Sequence, residues 1–174
     1  QSSIQVNPRI RATPGLPRNR DDRSPQGEPM TSSTAPERIL LTGATGFLGG
    51  AVAARLIADG QGANLSFLVR AERREQGLDR LRANLRDHDV GEAAYLALNP
   101  DQIICGDFLD TAWLPRESLR LMQIDRVINC AAVASFSKNP TIWPVNVDGT
   151  FAFAEVMSRS KRLKRFLHVG TAMC

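Results

Sequence analysis

Short apolar runs recur at Arg38 to Leu41, Leu65 to Val69, Gln102 to Cys105, Arg126 to Asn129 and Arg165 to Val169, each bounded by polar residues or glycine. Continuous runs of this length predict strands of a parallel sheet buried on both faces. Between them, apolar residues return at the helical interval. These segments are Leu48 to Asp59, Leu78 to Leu85 with Leu81 between, Arg116 to Met122, and a long stretch ending near Lys164 that carries Val147, Phe151, Ala154 and Met157. Strand and helix in alternation predict right-handed crossovers and a doubly wound α/β sheet in three layers. Pro144 lacks an N–H and has a fixed φ, so a helix start or a kink is predicted there.

The first run, Ile39 to Thr42, breaks into Gly43-Ala44-Thr45-Gly46-Phe47-Leu48-Gly49 before the helix begins. Three glycines at intervals of three, between a strand and a helix, are the arrangement that grips a dinucleotide pyrophosphate in a Rossmann fold. Gly43 allows the sharp exit from the strand, Gly46 lets backbone approach phosphate, and Gly49 lets the helix pack closely. The N–H groups of the first helical turn then face the anion. The spacing is Gly-x-x-Gly-x-x-Gly, one residue longer before the second glycine than the tighter dinucleotide fingerprint.

In such a sheet the residue that ends the second strand faces the adenosine ribose, where a carboxylate suits the 2′-hydroxyl of NAD. Here it is Arg70, and a guanidinium suits a 2′-phosphate by charge and by its paired donors, so NADP(H) is expected. Arg73 and Arg74 make the surrounding surface basic in any case, and a solvated arginine would read the same way. The third strand ends in Cys105-Gly106-Asp107-Phe108-Leu109, whose carboxylate could accept from adenine or could simply close a turn. After the fourth strand, Asn129 to Ala134 supply small side chains at the point where strand order reverses, suited to a nearby nicotinamide ribose or to core packing.

Composition sets the boundaries of this picture. The 174 residues are 43% hydrophobic and 23% charged, enough for one substantial core, so one domain over 37–174 is expected. Residues 1–36 hold six of the ten prolines and five arginines with scattered apolar residues, and are expected to be a disordered tail or upstream sequence ahead of Met30. Asp21, Asp22 and Glu28 dilute the charge of that tail and no aromatic residue is interleaved, so no nucleic-acid partner is expected. No stretch approaches the ~20 apolar residues of a membrane span. Cys105, Cys130 and Cys174 lack metal-ligand spacing, so no metal is expected, and reduced thiols suit a cytoplasmic protein.

Thr42 to Gly49, Leu68 to Ala71, Cys105 to Leu109, Asn129 to Val133, Asn146-Val147-Asp148-Gly149-Thr150 and Phe166 to Thr171 together resemble the extended short-chain dehydrogenase/reductases. The likeness is to the thioester reductase and fatty acyl-CoA reductase (male sterility) branch, from about Pro36 to the last residue. It implies that Gly43, Thr45, Gly46, Phe47 and Leu48 line the pyrophosphate, and that Arg70 with Arg80 contacts the 2′-phosphate. Asp107 with Phe108 would hold adenine, and Ala131, Ala132 and Val133 would border the nicotinamide. Asn146 would brace the long helix, or only satisfy backbone groups. Thr171 matches the Ser/Thr that hydrogen-bonds a substrate carbonyl, and Gly170 departs from the serine common before it.

The resemblance also calls for a Tyr-x-x-x-Lys pair as proton donor and its partner. The sequence has none: its single tyrosine, Tyr95, has no lysine at that spacing. The polypeptide is therefore expected to be the cofactor-binding part of a reductase acting on a small-molecule or carrier-bound acyl thioester or related carbonyl, truncated after the fifth strand and without turnover. A nucleotide-sugar epimerase or dehydratase of the same fold, or a non-catalytic nucleotide sensor, are the competing readings. An acidic residue at position 70 would have favoured the epimerase.

Overall fold

The computed structural model describes residues 36–135 and 138–170. The expected tail therefore lies, except for Pro36, outside the described residues. Five parallel strands form one sheet in the order β3-β2-β1-β4-β5. They are β1 (Ile39–Thr42), β2 (Leu65–Val69), β3 (Ile103–Cys105), β4 (Arg126–Asn129) and β5 (Arg165–His168). Central β1 pairs with β2 on one side and with β4 on the other, so the chain winds outward in one direction to β3 and then returns beside its starting point. That reversal between β1 and β4 opens a crevice at the carboxyl edge, where ligands of such sheets bind.

Alternation along the strands divides the core in two. Ile39, Leu41, Leu65, Phe67, Val69 and Ile103 face helices α1 (Phe47–Ala58), α2 (Arg74–Arg86) and α3 (Glu92–Leu96). Leu40, Leu68, Ile104 and Val127 face α4 (Trp113–Arg116), α5 (Ser118–Leu121) and α6 (Thr150–Ser158) on the other side. Three layers result, and β1, β2 and β3 are covered on both faces, which is why they read as unbroken apolar runs, whereas edge strand β5 departs from the expected burial, with Leu167 50% exposed. Phe153 sits at the centre of the second cluster, its ring 5.4 Å from Phe108, 6.1 Å from Trp113 and 5.7 Å from Phe166.

Several elements differ from the sequence expectation. Helix α2 begins four residues earlier than its apolar stripe, with Arg73 extended ahead of its first turn. Short α3 was not foreseen; it persists because the Arg82 guanidinium donates to the carbonyls of Tyr95 (3.2 Å), Leu96 (2.9 Å) and Leu98 (2.6 Å). The single helix expected over 116–122 is two, divided where Glu117 leaves helical geometry at φ −97°, ψ 6°. The long helix ends at Ser158, not near Lys164. Ser160 Oγ bonds the Met122 carbonyl and accepts from the Arg162 N–H, so residues 160–164 become the turn into β5.

Pro144 does mark an irregularity. Residues Pro144–Gly149 form a wider π-helical turn that runs directly into α6, with the proline in its first positions, where no N–H is needed. At the opposite, amino edge of the sheet, buried Asp125 accepts from the Arg38 N–H at 3.0 Å and from Arg162 Nη2 at 3.2 and 3.1 Å. Burial pushes the Asp125 carboxyl up, but the Arg38 N–H and the Arg162 guanidinium outweigh it and hold the group below its ordinary value.

Candidate cofactor site

The glycine loop occupies the carboxyl end of β1, at the crevice. Gly43 has φ +72°, and a Cβ there would lie 2.6 Å from the Cys130 carbonyl carbon of β4's exit, so both conformation and space require glycine. The Gly46 N–H closes the turn on the Gly43 carbonyl at 2.9 Å. Helix α1 starts at once, with no side-chain cap and no acidic residue in its first turn. The N–H groups of Phe47, Leu48 and Gly49 have no acceptor among the described residues, and Phe47 and Leu48 are exposed. Unpaired donors at the positive end of a three-turn helix make an anion site.

Beside the loop, the ends of β2 and β3 border an open cleft of about 960 Å³ whose walls include Arg70, Arg73, Arg74, Cys105, Asp107 and Arg116. Arg70 projects from the end of β2 and approaches Asp107 at 3.8 Å. Asp107 serves in two ways: Oδ1 accepts from the Leu109 N–H at 2.9 Å and closes the turn, while Oδ2 faces Arg70. Arg80 does not line the cleft; its guanidinium donates to the Arg70 carbonyl. The Phe108 ring is 4% exposed and belongs to the core beneath α6, so it offers no free face to a base. Burial pushes the Cys105 thiol up.

A buried polar chain crosses the carboxyl edge on the other side of the loop. Thr42 and Asn129, both 0% exposed on neighbouring strands, are joined by a hydrogen bond from Thr42 Oγ1 to Asn129 Oδ1. The Asn129 amide nitrogen then meets His168 Nδ1 on β5 at 3.0 Å. Thr42 Oγ1 also accepts from the Ala131 N–H at 3.1 Å. Asn146, in the π-helical turn, grips Val133 twice: Oδ1 accepts from its N–H at 2.7 Å and Nδ2 donates to its carbonyl at 3.1 Å. The segment Ala131–Val133 is thus pinned from both sides. Thr171 lies outside the described residues.

An anion site at the start of α1, a basic cleft beside it and a pinned segment after β4 thus share the carboxyl edge of the sheet. A model of the male sterility protein family, an NAD-binding domain, matches residues 41–174. The chain belongs to this family. No curated protein matches it. Among solved structures, it is similar to the terminal R domain of the myxalamid PKS-NRPS biosynthetic pathway, at 27% identity and a TM-score of 0.67, covering 80% of this chain and 36% of that one. The reductase domain of PhqB from Penicillium fellutanum is 30% identical, with a TM-score of 0.59 over 71% of this chain and 34% of that one. A thiolation-reductase di-domain from an archaeal non-ribosomal peptide synthetase is 25% identical, with a TM-score of 0.61 over 78% and 35%. The chain spans about a third of the length of these proteins.

In this male sterility family NAD(P)-binding domain, Gly43, Thr45, Gly46, Phe47 and Leu48 follow β1, Arg70 follows β2, Asp107 follows β3 and Ala131–Val133 follow β4, all beyond the carboxyl ends of their strands. Sequence reasoning gave no role to the side chains of Thr42, Asn129 and His168, although all three stood inside the motifs that carried the resemblance. It also missed Asn84 on α2 and His88 in the turn that follows it, which lie against Gly50 of α1. The available signal was a polar pair four residues apart, flanking the apolar stripe Leu78, Leu81 and Leu85. Among the described residues no His, Cys, Asp and Glu cluster could hold a metal, and no helix is long and apolar enough to cross a membrane.

Proposed function

We propose that this chain is the NADP(H)-binding part of a reductase that passes hydride to an acyl thioester or related carbonyl, carried on a small molecule or a carrier protein. The observation that carries the phosphorylated cofactor is Arg70: a guanidinium at the exit of β2, facing the cleft, where NAD-binding sheets place a carboxylate. The thioester substrate draws its support from two of the similar proteins, the terminal R domain of a PKS-NRPS pathway and the thiolation-reductase di-domain of a non-ribosomal peptide synthetase.

The residues present fit such a cofactor. Gly43 and Gly49 leave space that a Cβ would fill, and the first-turn N–H groups of α1 supply donors for a pyrophosphate. Arg70 and Asp107, which face each other across the cleft, would contact a ribose phosphate and an adenine, and the pinned Ala131–Val133 segment would wall the nicotinamide. When bound, the cofactor supplies the hydride. Thr171, just past β5, would hold the acceptor carbonyl's oxygen and stabilise its growing charge.

The chain by itself would bind without turnover. Its one tyrosine, Tyr95, is buried in the core with the Arg86 guanidinium 6.0 Å from its ring, and no lysine follows at the spacing that proton donation requires. The described cysteines, Cys105 and Cys130, are free thiols, in keeping with a cytoplasmic setting. The cofactor assignment is tested by titrating NADPH and NADH into wild type and Arg70→Ala. The Arg70 side chain is 74% exposed and screened by water, so its preference for the extra phosphate should be about tenfold, near 1.4 kcal/mol. Equal loss for both nucleotides would contradict the assignment.

A further inference from the structure

Two residues of α2, one helical turn apart, reach across to the exits of two strands. Arg80 holds the Arg70 carbonyl at the end of β2, and Asn84 Nδ2 donates to the carbonyls of Ala44 at 2.9 Å and Gly46 at 3.4 Å in the glycine loop. We infer that Asn84 is a positioning residue for the pyrophosphate end of the cofactor site, acting through those two carbonyls. The inference rests on the nucleotide-binding reading above and concerns how the loop is held.

The reason lies in the planarity of the peptide group. In a trans peptide the carbonyl and the following N–H point in opposite directions. A donor that fixes the Ala44 and Gly46 carbonyls toward α2 therefore aims the N–H groups of Thr45 and Phe47 away from α2. It also keeps two partial negative charges from turning toward a pyrophosphate. The Ala44 carbonyl has no other acceptor role given to it by the loop, whereas that of Gly46 already accepts from the Gly50 N–H at 2.8 Å. The contact to Ala44 is thus the principal one. Its place is guarded by Gly50: a Cβ there would lie 2.2 Å from Asn84 Nδ2 and 2.4 Å from His88 Nε2.

Two variants perturb the clamp independently. Asn84→Ala removes the donor. Gly50→Ala leaves Asn84 in the chain but displaces its amide, and does so at little cost to the fold because both obstructing groups are ends of flexible side chains. The purified chain and both variants are titrated by calorimetry with NADPH, with ADP-ribose, which carries the pyrophosphate alone, and with 2′-AMP, which carries only the phosphate at the Arg70 end. Both variants should bind NADPH and ADP-ribose about fivefold more weakly while keeping wild-type affinity for 2′-AMP. Unchanged ADP-ribose affinity in the variants, with wild type binding normally, overturns the role of Asn84. So does an equal loss for 2′-AMP, which marks general damage to the domain. Absence of any nucleotide uptake by wild type overturns the reading of the site itself.

Discussion

Gly49 and Gly50 are adjacent, buried and helical, yet alanine at the two positions should have different consequences. At Gly49 a Cβ would lie 2.2 Å from the Gly43 carbonyl oxygen, 2.5 Å from its carbon and 2.9 Å from the Ala44 nitrogen. All three atoms are backbone, and Gly43 is itself wedged against Cys130 with φ +72°, so the loop cannot retreat. Overpacking against fixed backbone belongs at the upper end of its usual range, about 3 kcal/mol. The gain in helix propensity from Gly to Ala returns about 1 kcal/mol, leaving a net loss near 2 kcal/mol. At Gly50 the same propensity gain of about 1 kcal/mol meets only the loss of the Asn84 hydrogen bond, also about 1 kcal/mol, and the two nearly cancel.

Urea unfolding followed by tryptophan emission measures this directly, since Trp113 is 2% exposed and reports on the core while Trp143 is 66% exposed and changes little. With a slope of about 2 kcal/mol/M, Gly49→Ala should unfold about 1 M below wild type and Gly50→Ala within about 0.25 M of it. Equal midpoints for the two variants, or a fall at Gly50 as deep as at Gly49, would refute the distinction between rigid and yielding neighbours.

Three further outcomes follow from the same geometry. Asn129→Leu should cost about 1–3 kcal/mol in urea unfolding, because the fully buried Thr42 hydroxyl loses the acceptor for its proton and His168 Nδ1 loses its hydrogen-bond partner; wild-type stability would dispose of the polar chain. The Asp125 carboxyl is held below its unfolded value, so its contribution is complete above about pH 4 and is lost as pH falls through the lower folded value. Arg162→Ala should therefore show a stability deficit of about 1 kcal/mol at pH 7 that shrinks as the Asp125 carboxyl is protonated in acid, and a deficit independent of pH would contradict this. Cys105 lines the cleft with its thiol pushed up by burial, so alkylation there should be slow at neutral pH and slower still with saturating NADPH; peptide mapping separates it from the other cysteines, and indifference to nucleotide would place the adenosine elsewhere.

Local signals carried the architecture. The five strands lie within a residue of their apolar runs, and for β1, β2 and β3 the reason is that burial on both faces demands hydrophobicity; the glycine loop announces itself because strand exit, turn and helix start are all decided within seven residues. The start of the long helix was legible at Pro144 for the same reason: a missing N–H is a local fact. Short α3 was not, since five residues have no periodicity to read and that helix depends on Arg82 from another element.

What only the tertiary structure decided is which side chains meet. Thr42 and Asn129 are 87 residues apart and touch only because β4 returns beside β1 in register, Thr42 against Asn129. The family resemblance implied a phosphate contact for Arg80, and the crossover from β2 brings its guanidinium onto the Arg70 carbonyl. Phe108 looked available to a base, but Gly149, where a Cβ would meet the Phe108 carbonyl oxygen at 2.1 Å, lets the long helix press down on that segment and the ring joins the core. Sequence fixes hydrophobic period, turn chemistry and charge, each a property of neighbours along the chain; sheet order and register assign partners across it, and those depend on the closure of contacts between residues far apart in sequence.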